Sequence, residues 1–125
     1  MSKKTAVRIL IGLVLIGGLV WLIRSPGKPG KLDAFATCIK DSEALFYGAF
    51  WCPHCQNQKA MFGRSAKLLP YVECSTPDGQ GQLQVCKDAG VAGYPTWKFA
   101  DGTVKTGEVA LPDLADLTSC ELPNG

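Results

Sequence analysis

The chain has 125 residues, 13 basic and 11 acidic side chains, a net charge of +2 and six cysteines. That length holds one domain, and the composition is ordinary for a globular protein apart from cysteine. Lys3, Lys4, Arg8, Arg24 and Lys28 carry five of the basic charges; from Lys31 onward the net charge is −3, so no basic patch supports nucleic-acid binding.

Lys3, Lys4 and Arg8 precede an apolar run from Ile9 to Ile23. As a helix, fifteen residues reach about 22 Å, short for a bilayer core and within the range of a signal-peptide core. No small-x-small cleavage site follows closely, since Trp21-Leu22-Ile23-Arg24 is unsuitable and Ala34-Phe35-Ala36 lies beyond a charged linker. We therefore expect residues 1–24 to be an uncleaved membrane anchor, with a cleaved signal or a buried soluble helix as alternatives. Basic residues on both sides leave the positive-inside signal weak. Residues 25–31 are a linker overlapping the run RSPGKPG (Arg24 to Gly30), whose prolines and glycines cannot continue a helix.

Residues 32–125 form the folded domain, about ninety-five residues able to build one modest core. Leu32 to Ser42 reads as a helix with Phe35 and Ile39 on one face. Ala44 to Phe50 is almost wholly apolar, as expected of a central strand covered on both faces. It leads into Trp51-Cys52-Pro53-His54-Cys55, from which a helix-compatible stretch, Gln56 to Leu69, departs; Gly63 marks a bend within it and Pro70 ends it. Tyr71 to Ser75 reads as a short strand, Pro77-Asp78-Gly79 as a turn, and Gln80 to Ala89 as a helix closed by Gly90. Thr96 to Ala100 and Thr103 to Val109 are expected to pair about a two-residue Asp101-Gly102 turn, and Pro112 to Cys120 closes the chain as a helix. Phe46, Phe50 and Phe99 are expected in the core. Trp51 and Tyr94 are expected at the surface, and Trp97 fits either role.

Two cysteines separated by two residues, where a strand becomes a helix, can cycle between dithiol and disulfide. The attacking species is a thiolate. Pro53 suits the first helical position, and the unpaired N–H groups of the helix start then face the Cys52 sulfur and favour its anion. Cys52 is therefore the expected nucleophile, and Cys55, one turn later, the resolving cysteine. His54 between them supplies an N–H donor or a positive charge. Haem attachment fails because Gln56, not histidine, follows Cys55. Zinc would need two further ligands, and Cys74 and Cys86 are too widely spaced for a compact second knuckle. An inert disulfide does not explain Pro53 and His54 at a helix start. No metal and no cofactor are expected beyond the Cys52–Cys55 pair itself.

Six cysteines in a small domain indicate an oxidising compartment. This orients the anchor with its N-terminus in the cytoplasm and the domain outside, in the periplasm or an equivalent lumen. The remaining four cysteines allow three pairings. We favour Cys74–Cys86, closing the Gly-rich stretch between them, and Cys38–Cys120, tying the first domain helix to the last. Each would contribute about 3–4 kcal/mol in the chain-entropy model. Free buried thiols are the alternative in a cytosolic setting.

The strand, the Trp-Cys-Pro-His-Cys motif, Gly93-Tyr94-Pro95-Thr96 before a hairpin and the final helix resemble the thioredoxin fold over residues 32 to 121. The resemblance implies a compact α/β domain, a central mixed sheet flanked by helices. It implies a cis Pro95 beside Cys52 and a Tyr94 backbone that pairs with a substrate peptide. Trp51, Pro53, Tyr94 and Pro95 are thus the expected substrate-binding residues. Cys-Pro-His-Cys resembles the DsbA-type oxidases, although the domain is too short for their inserted helical subdomain. Phe50 to Gln56, Tyr71-Val72-Glu73-Cys74-Ser75 and Gly93 to Trp97 together are similar to the thioredoxin-like domain linked to bacterial vitamin K epoxide reductase homologues. That similarity implies a quinone-linked membrane reductase as a separate polypeptide partner, beside protein dithiol and disulfide substrates. One departure stands out. Thioredoxins and DsbA-type enzymes carry a buried acid six residues before the first active cysteine, and here that position is Phe46. Tyr47 beside it is a poor base, and Glu43 is a distant substitute.

The sequence thus supports a membrane-anchored oxidase or isomerase of disulfides in exported proteins. Two readings compete: an anchored reductase working in the opposite direction, and a non-catalytic module that presents a peptide groove.

Overall fold

A computed structural model describes residues 2–25 and 27–124 of the chain. Pro26, inside the expected linker, lies outside the described residues.

The N-terminal apolar run is the middle of a longer helix, α1, Lys3–Arg24, of 22 residues. At 1.5 Å per residue it is about 33 Å long, and by length and composition it is long and apolar enough to cross a membrane, although its first turns carry Lys3, Lys4 and Arg8. None of its residues is buried.

The domain begins with α2, Asp33–Asp41. Asp33 fixes its start: Gly30 N–H donates to Oδ2 at 3.1 Å and the Ser65 hydroxyl to Oδ1 at 2.7 Å. The helix buries Phe35, Ala36 and Ile39. Next come β1 (Leu45–Gly48) and α3 (Pro53–Ala60). The single helix expected from Gln56 to Leu69 is instead α3 followed by a 3-10 segment, Gly63–Leu68. Gly63 adopts φ 53°, a conformation that ends a helix and that glycine reaches without a Cβ penalty. β2 is Tyr71–Glu73 and α4 is Gln84–Asp88. The helix expected from Gln80 is shorter because Gln82 bridges back to Ser75 and Leu83 N–H donates to the Cys74 carbonyl. β3 (Thr96–Lys98), β4 (Val104–Thr106) and α5 (Leu111–Thr118) complete the order. The β3–β4 turn holds three residues, not two: Phe99 N–H bonds to Thr103 O and Gly102 N–H to Phe99 O, with Gly102 at φ 87°.

The four strands form one mixed sheet in the order β2-β1-β3-β4. β1 is parallel to β2 and antiparallel to β3; β3 is antiparallel to β4. Side chains alternate across β1. Phe46 faces a core containing Phe35, Ile39, Phe62, Trp97 and Leu114, while Tyr47 faces a smaller one with Cys74, Cys86 and Val91. Phe46 stacks on its register partner Trp97 at 4.7 Å and meets Tyr71 edge-on at 5.1 Å. An aromatic slab thus fills the interior behind the end of β1.

Cys38 is bonded to Cys120, and Cys74 to Cys86, while Cys52 and Cys55 are free. The first bridge fastens α2 to the segment after α5, and the second fastens α4 to the end of β2.

Candidate active site

β1 ends at Gly48, and a tight turn follows in which Cys52 N–H bonds to the Ala49 carbonyl at 3.0 Å. Cys52 has extended backbone angles (φ −81°, ψ 116°) and is the N-cap of α3, with Pro53 in the first turn. Its sulfur accepts the Cys55 backbone N–H at 3.1 Å. A sulfur in that place satisfies one of the helix's unpaired donors and sits at the positive end of its dipole. No acidic side chain occupies the first turn to compete for that field.

The two thiols differ in surroundings. Both are buried, Cys52 at 3% exposure and Cys55 completely. Burial, then the hydrogen bond with Cys52, pushes the Cys55 thiol up to about 12. A helix-capping sulfur backed by a protonated, desolvated thiol is an asymmetry that suits stepwise disulfide exchange.

His54 is largely exposed, and its Nδ1 lies 2.7 Å from Glu108 Oε2, in the segment between β4 and α5. Trp51 is half exposed, anchored by Nε1–H donation to Ser75 Oγ at 2.9 Å and an edge contact with Tyr94 at 5.9 Å. Phe50, expected in the core, is instead 50% exposed beside it. It belongs to the turn after β1 rather than to the strand, so the strand's burial does not extend to it. Phe50, Trp51 and half-buried Tyr94 together give the surface next to Cys52 an aromatic character. The Tyr94–Pro95 peptide is cis. Pro95 is fully buried and shapes that surface from beneath, and Pro53 is exposed at the start of α3. Tyr94 Oη accepts from Gln82 Nε2 at 2.9 Å, and the same amide donates to the Val91 carbonyl.

Residues that sequence reasoning passed over hold this arrangement. Gln58 is fully buried under α3; its Oε1 accepts from Val109 N–H at 2.7 Å and Trp97 Nε1–H at 3.2 Å, and its Nε2 donates to the Val109 carbonyl at 2.9 Å. Glu73 holds the turn after β1, accepting Phe50 N–H at 3.2 Å. Glu73 lies two residues after Tyr71, so the period of a strand places both on one face, which was a readable signal. Nothing local in the sequence marks Gln58 or Glu108. Glu43, the distant acid, is exposed in the turn that enters β1, at the end of the strand away from Cys52.

Cys74 and Cys86 are consumed in a disulfide, so they do not complete a zinc site with Cys52 and Cys55. Among the described residues no group of three or more His, Cys, Asp or Glu side chains is arranged to hold a metal ion.

The family model for thioredoxin matches residues 31–116. The thiol-disulfide oxidoreductase LTO1 of Arabidopsis thaliana is 47% identical over 94 residues, which cover 71% of this chain and 24% of that protein. Protein disulfide-isomerase erp38 of Neurospora crassa is 29% identical over 85 residues, 65% of this chain and 20% of that protein. The chain therefore spans a quarter or less of the length of these curated relatives.

Proposed function

The chain belongs to the thioredoxin family and has thiol–disulfide oxidoreductases among its relatives, and from that premise we propose that it is a membrane-anchored enzyme that forms or isomerises disulfides in exported proteins. The observation that carries this reading is the capping of α3 by the Cys52 sulfur, with Cys55 buried behind it. Stabilising the attacking sulfur as a thiolate stabilises the reduced protein, and a stabilised reduced form makes the disulfide more oxidising. His54, next to Cys52 in the chain, is held at the same helix start by Glu108.

In this reading a substrate thiolate attacks Cys52 in the Cys52–Cys55 disulfide, Cys55 departs, and a second substrate thiol releases Cys52 and takes away the new disulfide. Isomerisation uses the reduced pair, with Cys52 attacking and Cys55 as the escape route. Trp51, Tyr94, Pro53 and Pro95 shape the peptide site, with the Tyr94 backbone pairing as a short added strand. Helix α1 anchors the domain through residues 9–23, N-terminus in the cytoplasm and domain in the periplasm or an equivalent lumen. Two disulfides beyond the active pair support that compartment. A separate quinone-linked reductase of the vitamin K epoxide reductase type would reoxidise Cys52 and Cys55.

The test is the reduction potential of Cys52–Cys55 in the full chain, held in detergent and equilibrated with glutathione buffers. A value of about −120 to −180 mV supports oxidation or isomerisation, and about −270 mV makes the chain an anchored reductase. Failure of the pair to cycle at all would leave a peptide-binding module.

A further inference from the structure

For Cys55 to attack a mixed disulfide on Cys52, its thiol must lose a proton inside the protein. The interior offers few acceptors. The core position six residues before Cys52 is Phe46, stacked on Trp97 and edge-on to Tyr71, and Glu43 is exposed beyond the far end of β1. Beside Cys55, across Gly48, stands a different arrangement. A Cβ on Gly48 would lie 3.0 Å from Cys55 Sγ, 2.8 Å from Tyr71 Cε2 and 3.3 Å from Tyr71 Oη. Thiol and phenol therefore converge on the space that glycine leaves empty. Tyr71 Oη in turn donates to Glu73 Oε2 at 2.8 Å.

The two Glu73 oxygens have separate duties. Oε1 accepts the backbone N–H groups of Phe50 and Ser75 at 3.2 and 2.8 Å, and Oε2 accepts the phenol. The register of the parallel pair, Phe46 with Tyr71 and Gly48 with Glu73, places both side chains beside the end of β1. Lys59 Nζ lies 3.6 Å from the centre of the Tyr71 ring. The titratable groups acting on Cys55 are thus Cys52 and Lys59 from α3 and Tyr71 from β2, with Glu73 behind it.

We propose that Tyr71 and Glu73 form the proton relay of Cys55, with the Glu73 carboxylate as terminal acceptor and the phenol as shuttle. This rests on the disulfide-exchange reading above. Cys55 passes its proton to Tyr71 Oη as the phenol passes its own to Glu73 Oε2, so no tyrosinate is formed. Burial and Glu73 both hold that phenol protonated, which suits a shuttle and not a free base. The Cys55 sulfur then attacks Cys52 Sγ, the mixed disulfide breaks, and the departing thiolate carries off the electron pair. The Cys52–Cys55 bond forms, so two thiols give up two electrons and two protons while the substrate disulfide is reduced. When Cys55 is the leaving group, the proton returns along the same path. Glu73 is half-buried and exchanges its proton with solvent.

Single-turnover reaction with dithiobis(nitrobenzoate) separates the two steps, because each releases one coloured thiolate. The first reports attack by Cys52, and the second reports attack by Cys55. The full chain in detergent is used with only the Cys52–Cys55 pair reduced. Tyr71→Phe keeps the ring under Lys59, and Glu73→Gln keeps an oxygen for the two backbone donors. Both should leave the first release within about twofold and slow the second by on the order of 100-fold at neutral pH, the low end for general-base catalysis. The deficit should shrink as pH rises, because hydroxide then replaces the relay. An unchanged second release in both variants would overturn the relay while leaving the exchange chemistry standing. So would a parallel slowing of both releases with an unaltered pH profile, the result of a purely scaffolding role. If the parent chain releases no thiolate at all, the exchange reading falls and takes the relay with it.

Discussion

Replacing Gln58 with leucine should cost about 3–5 kcal/mol of stability. Besides a sulfur contact with Met61, the amide serves three buried partners: the N–H and carbonyl of Val109 and the indole N–H of Trp97. Trp97 is fully buried and Val109 nearly so. Leucine keeps the volume but leaves all three groups unpaired, at about 1–3 kcal/mol each. Burying the new apolar side chain returns about 2 kcal/mol. Urea unfolding of the full chain in detergent measures the balance. With a slope of about 1–3 kcal/mol per molar for a domain of this size, the midpoint should fall by more than about 1 M. Gln58 also ties α3, which Cys52 caps and which contains Cys55, to the segment before α5. A loss below about 1 kcal/mol would mean that Val109 and Trp97 find other partners, and that the amide is not what fixes α3 to the sheet.

Two further outcomes follow from the cysteines. The Cys55 thiol is raised from 9.0 to about 12 in the folded reduced protein. A raised value favours the protonated form, so its stabilising share is complete below about pH 9 and is lost as pH climbs toward 12. Each pH unit in that window should cost the reduced protein up to about 1.4 kcal/mol relative to the oxidised protein, which has no thiol there to titrate. Denaturation curves of the two forms that stay parallel across this range would refute it. Removing the Cys38–Cys120 bridge with paired alanines frees a loop of 82 residues and should cost about 4 kcal/mol. Thermal melting should show a drop of well over 10 °C at about 4–8 °C per kcal/mol, and a drop of only a degree or two would place the stability of the α2–α5 contact in packing instead.

Much of the domain was legible because the signals were local. The apolar block ending in Trp51-Cys52-Pro53-His54-Cys55 marks a buried strand running into a capped helix, and Gly63 and Pro70 mark where that helix fails. The turn types were less readable. Asp101-Gly102 allows a two-residue hairpin, but the chain adds Ala100 to the loop. Phe50 looked like core because its neighbours are apolar, yet two residues beyond the paired strand the alternation of faces no longer governs it. The helix expected from Gln80 lost its first turn to the bridge between Ser75 and Gln82, a tertiary choice that propensity does not see. The residues around Cys55 were hidden for a related reason. That Tyr71 and Glu73 share a face was readable, but Tyr71 lies beside Cys55, with Glu73 behind it, only because β2 lies parallel beside β1, and parallel pairing carries no hairpin to announce its register.

The outer strand of the sheet has a consequence for crowded surfaces. Val104, Lys105 and Thr106 are all exposed, and Gly102 and Gly107 turn the backbone away at either end with φ of 87° and 93°. Three residues with a lysine at their centre make a poor template for a neighbouring backbone. A second molecule aligned there would gain only a couple of ladder bonds and would have to strip water from an ammonium group. A partly unfolded chain with unpaired strands would find little to pair with along this edge.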